Sequence, residues 1–99
     1  MNLRQAARDR ECQVRIVGVC NGDPRTTVLA HVRIAGISGM GFKSPDVLGA
    51  WACSACHDAV DGRTYKVKGY TRTDLRAAHL EACARTIAQL VKELGDPWA

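Results

Sequence analysis

The stretch Ala52-Cys53-Ser54-Ala55-Cys56-His57-Asp58 decides the fold predicted for this chain. It places three metal-ligating side chains, Cys53, Cys56 and His57, within five residues. Zinc binds thiolate sulfur at about 2.3 Å and imidazole nitrogen at about 2.0 Å, so a C-x-x-C turn can hold one ion. Because a structural zinc takes four ligands, other parts of the chain must contribute. A second cysteine pair, Cys12 and Cys20, is available.

The cysteines allow three interpretations: a zinc site, a redox C-x-x-C pair, or ordinary buried thiols that act as small apolar side chains. No βαβ pattern surrounds the C-x-x-C pair, which argues against the redox motif. A reduced, cytoplasmic environment favours metal binding over disulfides. The sequence therefore favours one structural zinc held by Cys12, Cys20, Cys53 and Cys56. The fifth cysteine, Cys83, falls on the apolar face of the last predicted helix and is expected to lie in the core.

His57 directly follows a predicted zinc ligand. Adjacent residues of a helix point about 100° apart, since a turn holds about 3.6 residues. With Cys56 turned toward the zinc, His57 should point elsewhere, back across the predicted strands toward His31. We therefore predict that His57 is not a zinc ligand.

Length and composition indicate a single small domain over residues 1–99, with an apolar fraction of 46% and hence a thin core. Such chains often gain stability from a metal ion. No apolar run approaches the ~20 residues of a membrane span, and the polar start of the chain does not resemble a secretory signal. A cytoplasmic location without membrane contact is expected. The net charge of +4 permits nucleic-acid binding without requiring it.

Two strands are predicted on either side of a glycine-rich loop. Residues 26–34 are rich in β-branched side chains, and His31 lies in the middle of this segment. The apolar run 47–52 can return as the partner strand. A further strand is indicated between Cys12 and Cys20, where apolar and polar residues alternate before a turn, so that a small hairpin would bring the two sulfurs together.

Two helices are predicted after the strands, and residues 1–11 are expected to form a basic arm or a short helix. Ser54 is a candidate N-cap for a helix starting near Ala55. Thr73 is a candidate N-cap for a C-terminal helix over 73–95, with Asp74 in its first turn. Gly95 and Pro97 should end it. The apolar positions of this helix follow helical spacing at Leu75, Ala78, Ala82, Cys83, Ile87, Leu90, Val91 and Leu94.

Several segments together resemble the YbcO-like family, small prophage-encoded proteins assigned as nucleases of the His-Me finger (HNH) superfamily on a treble-clef zinc scaffold. A weaker match is Ala84-Arg85-Thr86. The stronger matches are Arg10-Glu11-Cys12-Gln13-Val14-Arg15-Ile16, Gly18-Val19-Cys20-Asn21-Gly22, Val28-Leu29-Ala30-His31-Val32-Arg33 and Ala52-Cys53-Ser54-Ala55-Cys56-His57-Asp58.

The resemblance implies an α+β fold: a small zinc-bound ββα domain over residues 12–61, followed by the C-terminal helix. It implies a metal-dependent endonuclease that hydrolyses DNA with low sequence specificity. His31 matches the general base, and His57 matches the histidine that binds the catalytic Mg²⁺ or Mn²⁺. The four cysteines match the structural zinc ligands. DNA is the implied partner, and a recombination protein filament is a candidate second partner.

The sequence departs from the superfamily pattern at two positions. Ala30 stands where many members have an acidic residue, and Leu48 stands where an asparagine is usual. Asp46, Asp58 and Asp61 are the candidate replacements. These departures leave an alternative open: a zinc-stabilised module that binds nucleic acid or protein and lacks nuclease activity.

Arg33 lies on the same predicted strand face as His31. It is a candidate for holding a phosphate oxygen by a charge-assisted hydrogen bond. A solvated arginine with no ligand is the other interpretation of this residue.

Overall fold

The computed structural model describes residues 2–38, 44–62 and 67–96. These form a small α+β domain whose order is a short helix, two strands, a second helix and a long helix. The bounds are α1 Leu3–Ala6, β1 Val28–His31, β2 Gly49–Ala52, α2 Ser54–Val60 and α3 Arg72–Leu94. Single 3₁₀ turns at Pro24–Thr26 and Asp46–Leu48 precede the two strands.

The two strands pair antiparallel, with Val28 opposite Ala52 and His31 opposite Gly49. The predicted pair of strands is confirmed, but both strands are shorter than predicted. The first residues of the 47–52 run belong to the 3₁₀ turn, and pairing therefore stops at Gly49. As a consequence His31 is the last residue of β1, and the prediction that it lies mid-strand is wrong.

The strand predicted between Cys12 and Cys20 is also wrong. All of these residues are described, and they form turns, with Arg15 at φ 52° and Gly18 at φ 83°. The backbone N–H of Arg15 donates to the Cys12 sulfur, and that of Cys20 donates to the Ile16 carbonyl. The backbone N–H of Gln13 donates to the Trp51 carbonyl of β2, and this single bond is not extended into a strand because the next residues turn.

Both predicted helix caps differ from the observed ones by one or two residues. Cys53 caps α2 in place of Ser54, because its sulfur accepts a hydrogen bond from the Cys56 N–H at 3.4 Å. Thr71 caps α3 in place of Thr73, and a reciprocal capping box joins it to Asp74. Asp74 does lie in the first turn as predicted, and Gly95 ends the helix at φ 91°. Pro97 lies outside the described residues.

The core lies where α3 packs on β2. Cys83 is buried there, as predicted, and burial raises the pKa of its thiol. Trp51 is 2% exposed, and its backbone N–H donates to the Thr86 hydroxyl at 3.0 Å. Leu94, although part of the predicted apolar stripe, is 55% exposed.

The start of the chain packs against this core. Residues 3–6 form the short helix α1, one of the two predicted alternatives. Arg10 stacks over the Trp51 ring at 4.5 Å and pairs with Glu93 through two bonds of 2.6 Å. In the described part of the chain, no helix combines the length and apolar character needed to cross a membrane.

Candidate functional site

Four cysteine sulfurs meet where the 12–20 turns touch the start of α2. The Sγ atoms of Cys12, Cys20, Cys53 and Cys56 all lie within 4.8 Å of one another. The Cys20 and Cys53 sulfurs are 3.8 Å apart. A tetrahedron with zinc–sulfur bonds of about 2.3 Å has a sulfur–sulfur edge of about 3.8 Å. All four thiols are free, and the cluster could hold a metal ion such as zinc.

Backbone amides donate to two of these sulfurs, those of Cys12 and Cys53. The Arg15 N–H donates to the Cys12 sulfur at 3.5 Å, which requires the left-handed backbone at Arg15. A hydrogen bond with Cys56 is the main cause that lowers the pKa of Cys12, to about 4, and the same bond raises the pKa of Cys56. Burial raises the pKa of Cys20. Cys12 is thus held toward the thiolate form, which is the form that binds metal.

His31 forms a second centre at the end of β1. Its Nε2 atom lies 2.7 Å from Oδ1 of Asp46, on the 3₁₀ turn that leads into β2, and its side chain is 19% exposed. The hydrogen bond with His31 lowers the pKa of Asp46, and Arg4 acts in the same direction from 3.3 Å. An ionised carboxylate only accepts hydrogen bonds, so Nε2 carries the proton and Nδ1 of the neutral ring keeps its lone pair.

His57 lies on α2, half-buried and one residue after Cys56. The group of potential metal ligands found among the described residues contains the four sulfurs and no histidine nitrogen. His57 is also not among the described residues that line the cavity next to His31. The approach of His57 to His31 therefore stays a prediction.

His79, on α3, was not singled out from the sequence. It is 8% exposed, and its Nε2 donates to the Ala30 carbonyl at 2.8 Å. Burial lowers the pKa of His79, and the nearby charges of His57 and Arg76 act in the same direction. Its position four residues after Leu75, on the buried stripe of the helix, was the signal that could have identified it.

A cavity of about 360 Å³ opens beside His31, between the end of β1, the end of α2 and the start of α3. Arg33 lies here as one of its lining residues, and its NH2 pairs with Oδ1 of Asp61 at 3.1 Å. The Arg33 side chain is 74% exposed and that of Asp61 is 13% exposed. The charged and titratable residues of the lining are His31, Arg33, Asp61, Arg72, Arg76 and His79.

Comparison with known proteins gives one consistent result. The family model described as "Putative nuclease YbcO" matches residues 1–95. Two curated proteins, "Putative nuclease YbcO" of Escherichia coli (strain K12) and "Putative nuclease ybcO" of Enterobacteria phage 82, are each 54% identical over 93 residues, covering 93% of both chains.

A solved structure also matches, described as "Structure of a putative bacteriophage protein from Escherichia coli str. K-12 substr. MG1655". Its sequence is 46% identical to this one, its TM-score is 0.73, and the match covers 91% of this chain and 96% of that chain. Because the family model spans nearly the whole sequence and two relatives share more than half of their residues with it, the chain belongs to the YbcO family.

Proposed function

We propose that the chain is a metal-dependent endonuclease of the His-Me finger (HNH) type that hydrolyses DNA phosphodiester bonds with low sequence specificity. The observation that carries the proposal is the His31–Asp46 pair at 2.7 Å, on the rim of an arginine-lined cavity. The strand, strand, helix order of β1, β2 and α2 supports it, as does the nuclease name carried by the 54% identical relatives.

His31 is the general base in this proposal. Hydrolysis of a phosphodiester requires a water molecule that loses a proton as it attacks. The free Nδ1 lone pair can take that proton, while the bond from Nε2 to Asp46 holds the ring and offsets the positive charge that develops on it. Asp46 is thus a positioning residue for His31, and it was one of the three acidic candidates taken from the sequence.

The four cysteines hold a structural zinc in this proposal. The sulfur spacing fits a tetrahedral ion, and the ion would tie the 12–20 turns to the start of α2. Since such a site does not preform in the unfolded chain, the free energy of zinc binding contributes directly to folding.

His57 would hold the catalytic Mg²⁺ or Mn²⁺. Asp61 follows one turn later, and residues four apart share a helix face, so Asp61 is the carboxylate that fits as a second ligand. Such an ion, when bound, stabilises charge on the phosphate and on the departing oxygen. Mg²⁺ and Mn²⁺ favour carboxylate oxygen, which Asp61 supplies.

One observation favours a second candidate function, a zinc-stabilised module that binds nucleic acid or protein without cleaving it. Ala30 is 1% exposed, and its carbonyl is bonded to His79. The position before His31 therefore offers no carboxylate for a catalytic ion.

A plasmid-nicking assay separates the two candidates. Zinc-loaded protein should nick supercoiled DNA with Mg²⁺ or Mn²⁺, and His31→Ala should lose about 10²–10⁴-fold in rate, the usual contribution of a general base. Asp46→Asn should also slow nicking. Asp23→Asn is the matched control, because Asp23 lies at the start of the other 3₁₀ turn, as its N-cap, and also pairs with an arginine, Arg25, at 3.1 Å.

His57→Ala tests the partition between the two metals. It should keep its zinc and a Tm within a few degrees of the parent, and lose metal-dependent nicking.

DNA binding without any nicking by the parent would support the binding module. Undiminished nicking by His31→Ala would show that His31 is not the base. A parallel reaction with a recombination protein filament assembled on the same DNA tests that second partner.

A further inference from the structure

Three guanidinium groups converge on the cavity beside His31. Arg33 follows the end of β1, and Arg72 and Arg76 lie one turn apart on the same face of α3. Among the residues that the structure describes, Asp61 supplies the one carboxylate of the lining. The lining therefore carries an excess of two positive charges, before the histidines are considered.

Two of the arginines, Arg72 and Arg76, are held in place by backbone carbonyls. Arg72 donates to the carbonyls of Ala59 and Val60 at 3.1 and 3.2 Å, at the end of α2. Arg76 donates through NH2 to the carbonyl of Arg33. A guanidinium has five N–H donors, so each of these side chains keeps further donors after making its bonds to the backbone. Fixed arginines lose less conformational entropy when a ligand binds.

Such an arrangement suits a tetrahedral oxyanion. Guanidinium groups bind phosphate oxygens through paired N–H bonds, and an anion offsets the repulsion between three like charges in one cavity. A volume of about 360 Å³ is at the small end of ligand pockets and fits a single nucleotide unit. Arg33 lies at the open edge of the cavity, with its side chain 74% exposed, and can turn from Asp61 toward the anion.

We propose that Arg33, Arg72 and Arg76 form a subsite for one backbone phosphate of a DNA strand, adjacent to the phosphodiester that His31 attacks through water. The inference rests on the proposed function for the identity of the ligand. It adds a direction for the bound strand, which runs from the end of β1 toward the start of α3.

The test measures binding of a fluorescent single-stranded DNA oligonucleotide by anisotropy, over a range of salt concentrations. Zinc-loaded protein carrying His31→Ala is used without added Mg²⁺ or Mn²⁺, so that cleavage plays no part. Arg76→Gln in this background should weaken binding about tenfold, as expected for a lost charged hydrogen bond. The slope of log K against log salt should become shallower by about 0.7, the value for one phosphate contact on a single strand.

Arg85→Gln is the matched control. Arg85 lies on the same helix, is also exposed, and also donates one NH2 bond to a backbone carbonyl, that of Gln13 at 2.6 Å. It is not among the described residues that line the cavity. Both substitutions remove one charge and one bond to the backbone, so only a specific contact with phosphate predicts a larger loss for Arg76→Gln.

Arg33→Gln decides the matter if Arg76→Gln fails to fold, because the Arg33 side chain is 74% exposed. It should weaken binding and reduce the salt slope in the same way. Three results would each overturn the subsite. These are an equal loss of DNA affinity in Arg76→Gln and Arg85→Gln, an unchanged slope of log K against log salt, and an absence of DNA binding by the His31→Ala protein that carries no further substitution. The nicking assay and the binding assay give independent results. An absence of nicking would leave the measured difference in DNA binding unchanged, and equal DNA binding by the variants would leave His31-dependent nicking unchanged.

Discussion

Thr86 makes the contact between α3 and the sheet that is most open to a quantitative test. Its side chain is 1% exposed, and its hydroxyl accepts a hydrogen bond of 3.0 Å from the backbone N–H of Trp51. The Trp51 carbonyl accepts the Gln13 N–H at 2.7 Å. The outer edge of β2 is thus satisfied by one side chain and one loop amide, in place of a third strand.

Thr86→Val keeps the shape of the side chain and removes the acceptor. Because no cavity forms, the free energy of unfolding should fall only by the penalty for leaving the buried backbone N–H of Trp51 without an acceptor, about 1–3 kcal/mol. A domain of this size loses roughly 4–8 °C in Tm for each kcal/mol, so a loss of about 2 kcal/mol corresponds to roughly 8–16 °C. Thr86→Ser keeps the hydroxyl and removes one methyl group, which should cost about 1 kcal/mol.

Urea and thermal unfolding of the three proteins should be compared at one fixed zinc concentration, because a ligand that binds only the folded state raises its apparent stability. The expected order of stability is parent, then Thr86→Ser, then Thr86→Val. A valine variant at least as stable as the serine variant would refute the reasoning, since it would show that the Trp51 N–H does not depend on this hydroxyl.

Three further predictions concern the metal cluster, the buried histidine and the tight approach of the strands. Cys12→Ser, like treatment with a chelator, should release zinc and unfold the chain, since metal binding is coupled to folding; undiminished zinc in the purified variant would count against the ligand set. Burial lowers the pKa of His79 in the folded state. The neutral histidine therefore contributes fully to the free energy of unfolding above the unfolded pKa of about 6.5. This contribution is lost as pH falls below that value, because the unfolded chain then binds a proton that the folded chain does not. The stability difference between the parent and His79→Gln should therefore narrow between about pH 7.5 and about pH 5.5, and a constant difference would contradict the assignment. Gly49→Ala should lower the free energy of unfolding by about 1–3 kcal/mol, because a Cβ at this position would lie 2.6 Å from Cγ of Leu29. An unchanged Tm would show that the Leu29 side chain can move aside without cost.

Local sequence pattern was enough to predict the two paired strands, the helix that follows them and the long C-terminal helix. The strands follow from β-branched and apolar runs, and the helix follows from the spacing of Leu75, Ala82 and Cys83, all of which are buried. The four cysteines proposed as zinc ligands do lie together. These features depend on residues close in sequence, or on a ligand chemistry that few side chains share.

The turns after Cys12 and the choice of helix caps depended on tertiary contacts, which sequence periodicity does not report. The alternation after Cys12 is typical of a strand, yet the segment turns and the Arg15 amide bonds to the Cys12 sulfur, which is part of a cluster assembled from distant segments. Which of two neighbouring side chains caps a helix depended on the path of the chain into it, and Cys53 and Thr71 were the ones that reached the free N–H groups.

The partners of His31 and His79 were also set by tertiary structure. Asp46 reaches His31 across 15 residues, and His79 reaches the Ala30 carbonyl across 49. A hydrogen bond between such positions exists only once the 3₁₀ turn before β2 and the long helix α3 are packed on the sheet. The residue types of the site could therefore be read from the sequence, whereas their pairing required the fold, because local propensity acts over a few residues and the chemistry of this site depends on contacts over dozens.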